Sequence, residues 1–488
     1  MGIVQRQSIK NTIITFLGFG IGGINALIFY PLFLEKEHYG IIATVLSGAN
    51  IMMPLMAFGA QSTLIRFFSS YKNQKERDEF LTFMLILPLA LIIPLGLGFY
   101  FFYDDISHSW IKENPTLEPF FWLIPVIGLF MAYFEVFYAW AKVHMQSVIG
   151  NFISEVLVRL VVMVLLIGVH FNWLAKDTFV YCVALAYFAQ LVGMKLYAIS
   201  VKMPVLRFVI PENIKEIIQY SFFIIVSGGV AVMLVDFDKV MIAKYLPVSE
   251  NALYSVAIFI ATVIAVPSRA MTQIIAPITA KLMVENKHDE LNDLYKKSAI
   301  NLQVIGGFIM ILIFVNIKEM YQLIPKDYSG GILVVFLIGL SKFYDVLLGN
   351  NNSIIVNTKH YRTVLLFGVF TVVLMIVLNM IFIPMYGIEG SAFATLITVI
   401  IYNTIKLLFV VKKMNLYPFT NKTLQSFGIL AVCFLLFYFW DFQFHAIINI
   451  GLKSILIGAL YIYLNYKLKI SEEVNDVIRN VLKKVKLM

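Results

Sequence analysis

The chain has 488 residues, 60% of them hydrophobic and only 14% charged, with a mean hydropathy of +0.84. Soluble domains carry about 25% charged residues, so a water-soluble globular fold is excluded; apolar runs long enough to cross a bilayer recur throughout. The net charge of +9 marks no nucleic-acid surface, because the bases follow membrane topology; two cysteines in separate apolar runs, Cys182 and Cys433, give neither a disulfide framework nor a metal cluster.

The first apolar run, with Arg6 and Lys10 ahead of it, continues to Leu34 without a small-residue cleavage site. It is expected as a retained first span, not a signal peptide. Fourteen spans are expected, at about 11–33, 39–66, 80–102, 119–141, 148–169, 178–199, 214–243, 251–276, 296–316, 330–356, 363–383, 388–410, 423–440 and 445–466. With the N-terminus inside, the cytoplasmic segments hold 24 Lys and Arg, counting the span-end Lys215, Lys296 and Lys297. The opposite side holds 6, and 8 lie within spans. That asymmetry places both termini in the cytoplasm. The longest outer loop, 103–118, is too short for a catalytic domain.

The stretch 228–254 carries Asp236, Asp238 and Lys239 inside an apolar run, which hydrocarbon tolerates only if they face water or protein. A polar break at 247–251 follows, then a new apolar run. The N-terminal part repeats this layout. Tyr39 matches Tyr254, Pro54 matches Pro267, and Asp78-Glu79 match Asp289-Glu290, at offsets of 215, 213 and 211. An even number of spans separates the copies, so the repeat is parallel. The expected architecture is all-α and polytopic: an N-lobe over 1–206, a C-lobe over 207–413, two further spans over 414–466 and a cytoplasmic tail over 467–488. The segment 202–215, with Pro204, Pro211 and several bases, is expected as a cytoplasmic linker. The tail sets Val474, Val477, Ile478, Val481, Leu482 and Val485 on one helical face. It is read either as an amphipathic helix on the lipid surface or as a solvated segment.

The runs VDFDKVMIAKYLPVSENALYSVA, YGIEGSAFATLIT and KFYDVLLGNNNSIIVNTKHYR resemble three junctions of the polysaccharide flippase branch of the multidrug/oligosaccharidyl-lipid/polysaccharide exporter superfamily. These are the seventh-to-eighth, the twelfth and the tenth-to-eleventh spans. The resemblance covers nearly the whole chain. The first copy departs from it, with only Asn25 where the second has its charged cluster. The resemblance implies a bacterial inner-membrane flippase that moves an undecaprenyl-diphosphate-linked oligosaccharide outward by alternating access. Its setting would be surface polysaccharide or lipopolysaccharide assembly.

Such a substrate needs a hydrated, preferably cationic path for its headgroup. Arg159 lies near the middle of the fifth span, with Glu155 one turn earlier on the same face; the pair either lines a cavity or neutralises itself. Glu135 lies at a similar depth in span 4, to pair with Arg159 or to couple transport to an ion. Asp236 and Lys239 are spaced to pair, with Asp238 aimed elsewhere; Lys342 and Asp345 repeat the spacing in span 10. Lys239 either lines the cavity or snorkels to the interface, and Arg269 in span 8 either contacts diphosphate or snorkels. Asn350, Asn351 and Asn352 are expected to line water or the other lobe. Gly18, Gly20, Gly22 and Gly23 in span 1, and Gly228 and Gly229 in span 7, suit close packing or hinging at a lobe interface.

No P-loop and no metal-ligand spacing occurs in the sequence, so no enzyme activity and no cofactor beyond a coupling ion (H+ or Na+) is expected. The expected partners are the lipid-linked oligosaccharide, membrane lipids and other polysaccharide-assembly proteins, not nucleic acid. Two rivals stand. A cation-coupled drug exporter of the same fold predicts an apolar, acid-bearing cavity. A membrane polymerase or glycosyltransferase predicts a sizeable outer loop.

Overall fold

The computed structural model describes residues 3–205, 207–358, 361–440 and 442–484, apart from the side chains of a few helical positions. The described residues contain helix and no strand. Eleven stretches among them are long and apolar enough to cross a membrane, against the fourteen expected. The difference has local causes. The expected spans 363–383 and 388–410 share one such stretch, Leu366–Met414. The span expected at 423–440 is the shorter helix Asn421–Phe437. The span expected at 214–243 lies in the helix Ile214–Tyr245, part of whose side chains fall outside the described set.

In chain order the main helices are α1 (Ile3–Ile24), α2 (Lys36–Met56), α3 (Ala60–Phe67), α4 (Gln74–Ile86), α5 (Leu89–Phe101), α6 (Tyr103–Ile111), α7 (Leu123–Val143), α8 (Val158–His170) and α9 (Lys176–Val201). After the linker come α10 (Ile214–Tyr245), α11 (Glu250–Thr262), α12 (Val266–Val284), α13 (His288–Gln322), α14 (Ile332–Leu347), α15 (Asn351–Val356), α16 (Tyr361–Met414), α17 (Asn421–Phe437), α18 (Ala446–Lys467) and α19 (Glu472–Lys484).

These helices form two compact units. The first comprises residues 1–255 and 379–388 and so includes α10. Its core joins Leu64, Phe80, Met84, Phe134, Trp140 and Met194, all buried. Several of its spans are interrupted. α2 ends just after Pro54, and the chain passes through left-handed Phe58 (φ 50) and Gly59 (φ 62) before α3. A side chain at 59 would strike the Ser221 carbonyl 2.6 Å from its Cβ, so the break brings α3 directly onto α10. Five-residue π-turns interrupt the first and fifth spans at Asn25–Phe29 and Ile153–Leu157. Such turns displace side chains from the ordinary helical register and recur at functional sites.

The second unit comprises residues 256–378 and 389–488. The segment over Val263–Ala265 is a 3-10 turn just before Pro267, the repeat partner of Pro54, so both copies interrupt the second span beside this proline. α16 breaks at Gly387 (φ 61, ψ −140), a conformation essentially restricted to glycine. The last two spans dock on α13 through polar groups. Gln303 donates to the Thr423 carbonyl (3.0 Å), Tyr461 to the Val304 carbonyl (2.9 Å), and Lys453 forms a buried ion pair with Glu319. The tail helix α19 is tied back by Ser471, which donates to Asn301 (2.5 Å). On it Val474 and Ile478 are half-buried and Val477 is exposed. The expected apolar positions Val481, Leu482 and Val485 lie outside the described side chains.

Candidate functional site

The first unit holds Glu135, Glu155, Arg159, Asp236, Asp238 and Lys239 of the sequence-predicted residues. Asn25, almost fully buried in the first π-turn, donates to the Arg159 carbonyl at 2.9 Å. The Arg159 guanidinium holds the Glu155 carboxylate at 2.8 Å and the Glu155 carbonyl at 2.8 Å, from the helical turn that the spacing identified. Both side chains stay about one-third exposed. Room for it comes from span 1. A Cβ on Gly18 would lie 2.4 Å from the Glu155 carbonyl and 2.7 Å from Arg159 Nη1, and one on Gly22 would lie 3.2 Å from Nε. These two glycines therefore cradle Arg159.

Charge extends from this pair in two directions. Glu135, half-buried on α7, has Lys142 and Glu155 as charged neighbours, and the Lys142 ammonium sits 3.6 Å from the Tyr138 ring centroid. Tyr187 is within electrostatic reach of both Arg159 and Asp236. Asp236 accepts from Ser47 (2.8 Å) and Asn50 (3.2 Å), and no ion pair among the described residues joins it to Lys239. Lys239 is half-buried nearby. Asp238 accepts from Tyr254 (2.5 Å) and Asn379 (3.1 Å). Two surface cavities of this unit, about 410 and 310 Å3, are lined by other residues, around Tyr71 and Asn213 and around His38 and Tyr181.

The second unit holds a separate polar belt. Lys342 is half-buried on α14, and Asp345 is exposed and accepts from Asn403 (3.1 Å). Of the three asparagines, Asn350 is buried against Thr279 and Asn351 against the Tyr295 hydroxyl (2.7 Å), so these two cross-link helices. Asn352 is exposed and accepts from Lys406 (2.9 Å). Arg269 is exposed on α12.

Lys406 is a functional candidate that sequence reasoning passed over. It is 2% exposed, lies 4.1 Å from the Tyr402 ring centroid, and has Asp345 as charged neighbour without an ion pair among the described residues. The i,i+4 spacing of Tyr402 and Lys406 was its legible signal. Asn114, another buried side chain missed, holds backbone groups more than a hundred residues away. No sequence pattern announces such a contact.

The protein family described as "Polysaccharide biosynthesis protein" matches residues 8–283. No curated protein sequence matches the chain. A solved structure described as "Lipid II flippase MurJ, inward closed conformation" superposes with a TM-score of 0.68 at 15% identity, over 95% of this chain and 99% of its own. Inward-facing and outward-facing structures of a multidrug resistance MATE family transporter of the MOP superfamily each give 0.58, at 14% and 12% identity. They cover 83% and 84% of this chain and 94% and 95% of their own. At these identities the likeness is one of fold, and it is the all-helical multi-pass fold expected.

Proposed function

This chain belongs to the polysaccharide biosynthesis protein family, and on that premise we propose that it is a flippase for a lipid-linked oligosaccharide. The substrate in this reading is carried on undecaprenyl diphosphate and moves from the cytoplasmic to the outer leaflet of a bacterial inner membrane. Its setting is surface polysaccharide or lipopolysaccharide assembly. The observation that carries the reading is Arg159: an intramembrane guanidinium, one-third exposed, in a niche that two glycines keep open. An anionic headgroup crossing hydrocarbon needs such a cation, and a guanidinium suits phosphate oxygens. Lys239 in the first unit and Lys342, Arg269 and Lys406 in the second are the further candidate cations. The two repeat copies act as lobes, 1–206 and 207–413, that alternate access. Glu135, Asp236, Asp238 and Asp345 are the candidates for coupling to an H+ or Na+ gradient, and other polysaccharide-assembly proteins are the candidate partners.

The same fold serves a multidrug transporter, and the buried acids Asp236 and Asp238 favour cation export as the second reading. The two readings divide on Arg159→Ala. As a flippase, the variant loses surface polysaccharide while membrane expression and Tm are kept, and Arg159→Lys restores part of it. Normal polysaccharide in Arg159→Ala, with altered resistance to cationic drugs, would replace the flippase by the exporter.

A further inference from the structure

Asp236 and Asp238 are two residues apart on α10, so their side chains leave the helix about 200° apart. They engage different parts of the chain. Asp238 binds Tyr254, which opens the next span, and Asn379, in the eleventh. The first copy links the corresponding spans through different atoms. Tyr39 donates to the Ala26 carbonyl (3.3 Å) and Asn25 to the Arg159 carbonyl. Two offsets agree with the repeat, 238 − 25 = 213 and 254 − 39 = 215, while Asn379 and Arg159, 220 apart, share only the corresponding span. Asp238 thus marks the face that each copy uses to hold its own first span.

Asp236 has no such counterpart, since 236 − 213 = 23 is a glycine, Gly23. Its partners Ser47 and Asn50 belong to the other copy. Further cross-copy bonds extend the seam. Ser221 and Thr63 share a hydrogen bond of 2.8 Å, and Asn251 donates to Thr44 at 2.8 Å. At the outer end Asn114 closes it, donating to the Ala243 (2.7 Å) and Leu246 (3.0 Å) carbonyls and accepting from the Val248 amide (2.5 Å). Gly40 lets the same turn approach: its Cβ would sit 1.9 Å from the Val248 carbonyl. Most of these bonds join neutral groups, which water replaces at small net cost once it enters.

We infer that α10 is a two-faced gate helix, fixed to its own copy through Asp238 and detachable from the other through Asp236, with Asn114 as the clasp of its outer end. This inference rests on the alternating-access reading. When the outer side opens, the Asp236 seam parts and the Asp238 contacts persist. Asn114 and Asp236 are therefore gating residues that set the fraction of time spent open.

The test uses the full-length protein in proteoliposomes with Cys182→Ser and a reporter, Ala243→Cys, at a fully buried seam position. Labelling by a membrane-impermeant maleimide reads outer opening and needs no known substrate. Asn114→Ala and Asp236→Asn are expected to speed labelling of the folded protein about fivefold per hydrogen bond lost. Tyr254→Phe is expected to lower Tm and leave labelling of the folded protein unchanged. Equal labelling of all three variants would overturn the inference. A second arm joins Asn114→Cys to Val248→Cys by oxidation, in the same background without Ala243→Cys. Cross-linked protein is expected to stop transporting and to recover with reductant; transport at the uncrosslinked rate would also overturn it. Should deletion of the protein leave surface polysaccharide intact while the labelling pattern appears, the flippase reading fails and the gate stands.

Discussion

Lys453 and Glu319 form an ion pair with side chains only 3% and 7% exposed, between α18 and α13. The second carboxylate oxygen of Glu319 is buried without a hydrogen-bond partner among the described residues. Lys453→Met therefore leaves a carboxylate with no compensation. Breaking such a pair on one side costs about 3–5 kcal/mol in soluble proteins. About 3 kcal/mol is the expected loss, taken up by detachment of the last two spans. Cys433 on α17 reports it directly, being fully buried in the native state. If labelling of this thiol passes through local opening, its rate in detergent rises about a hundredfold in Lys453→Met. Mass analysis separates it from Cys182. The double variant Lys453→Met, Glu319→Leu returns to near the native rate, because a matched apolar pair avoids desolvation. Native labelling in the single variant, or a double variant as labile as the single, would refute the reasoning.

Gly22→Val is expected to displace Arg159, whose side chain supplies the three atoms nearest a Cβ there, at about 1–3 kcal/mol of overpacking, and to reproduce the transport loss of Arg159→Ala; a variant with native polysaccharide would show that the niche is not needed. Lys406→Met removes a buried cation that, among the described residues, bonds Asn352, faces the Tyr402 ring and has Asp345 as a charged neighbour without an ion pair, so Tm should hold or rise while surface polysaccharide falls; a falling Tm would make Lys406 a packing residue. The ion pair with Lys176 holds Glu35 below the usual carboxylate range. Its stabilisation is present above the ordinary Glu pKa and fades as pH falls through the lowered value. Because the pair is exposed, Glu35→Gln should change Tm at neutral pH by less than about 1 kcal/mol equivalent, with no difference in strong acid. A larger difference in acid than at neutrality would reverse the sign argued here.

Apolar run length made the helices legible, and local spacing made Arg159 and Glu155 legible as a pair. Non-local geometry was not legible in the same way. Spacing alone offers Lys239 to Asp236, but the carboxylate takes Ser47 and Asn50, 189 and 186 residues away. Both are neutral, so charge patterns do not reveal them. The glycines of span 1 were visible, though their use was not: an interface between lobes fits the composition as well as the niche for Arg159 that Gly18 and Gly22 form. The three asparagines read as one polar run, yet their successive side chains project in different directions, so two are buried cross-links and the third meets Lys406. The helix break at Gly387 shows only in the backbone, because glycine suits a packed helix as well as a turn.

The flippase reading is tested most directly by the leaflet that holds the lipid-linked oligosaccharide in cells lacking this protein. Cells are treated with a glycosidase that reaches only the periplasm, and the lipids are extracted and weighed by mass spectrometry. The account predicts an accumulated intermediate that the glycosidase cannot reach until the inner membrane is opened, and expression of the intact chain makes it accessible. An intermediate pool of normal size and normal accessibility in the deletion strain would contradict it.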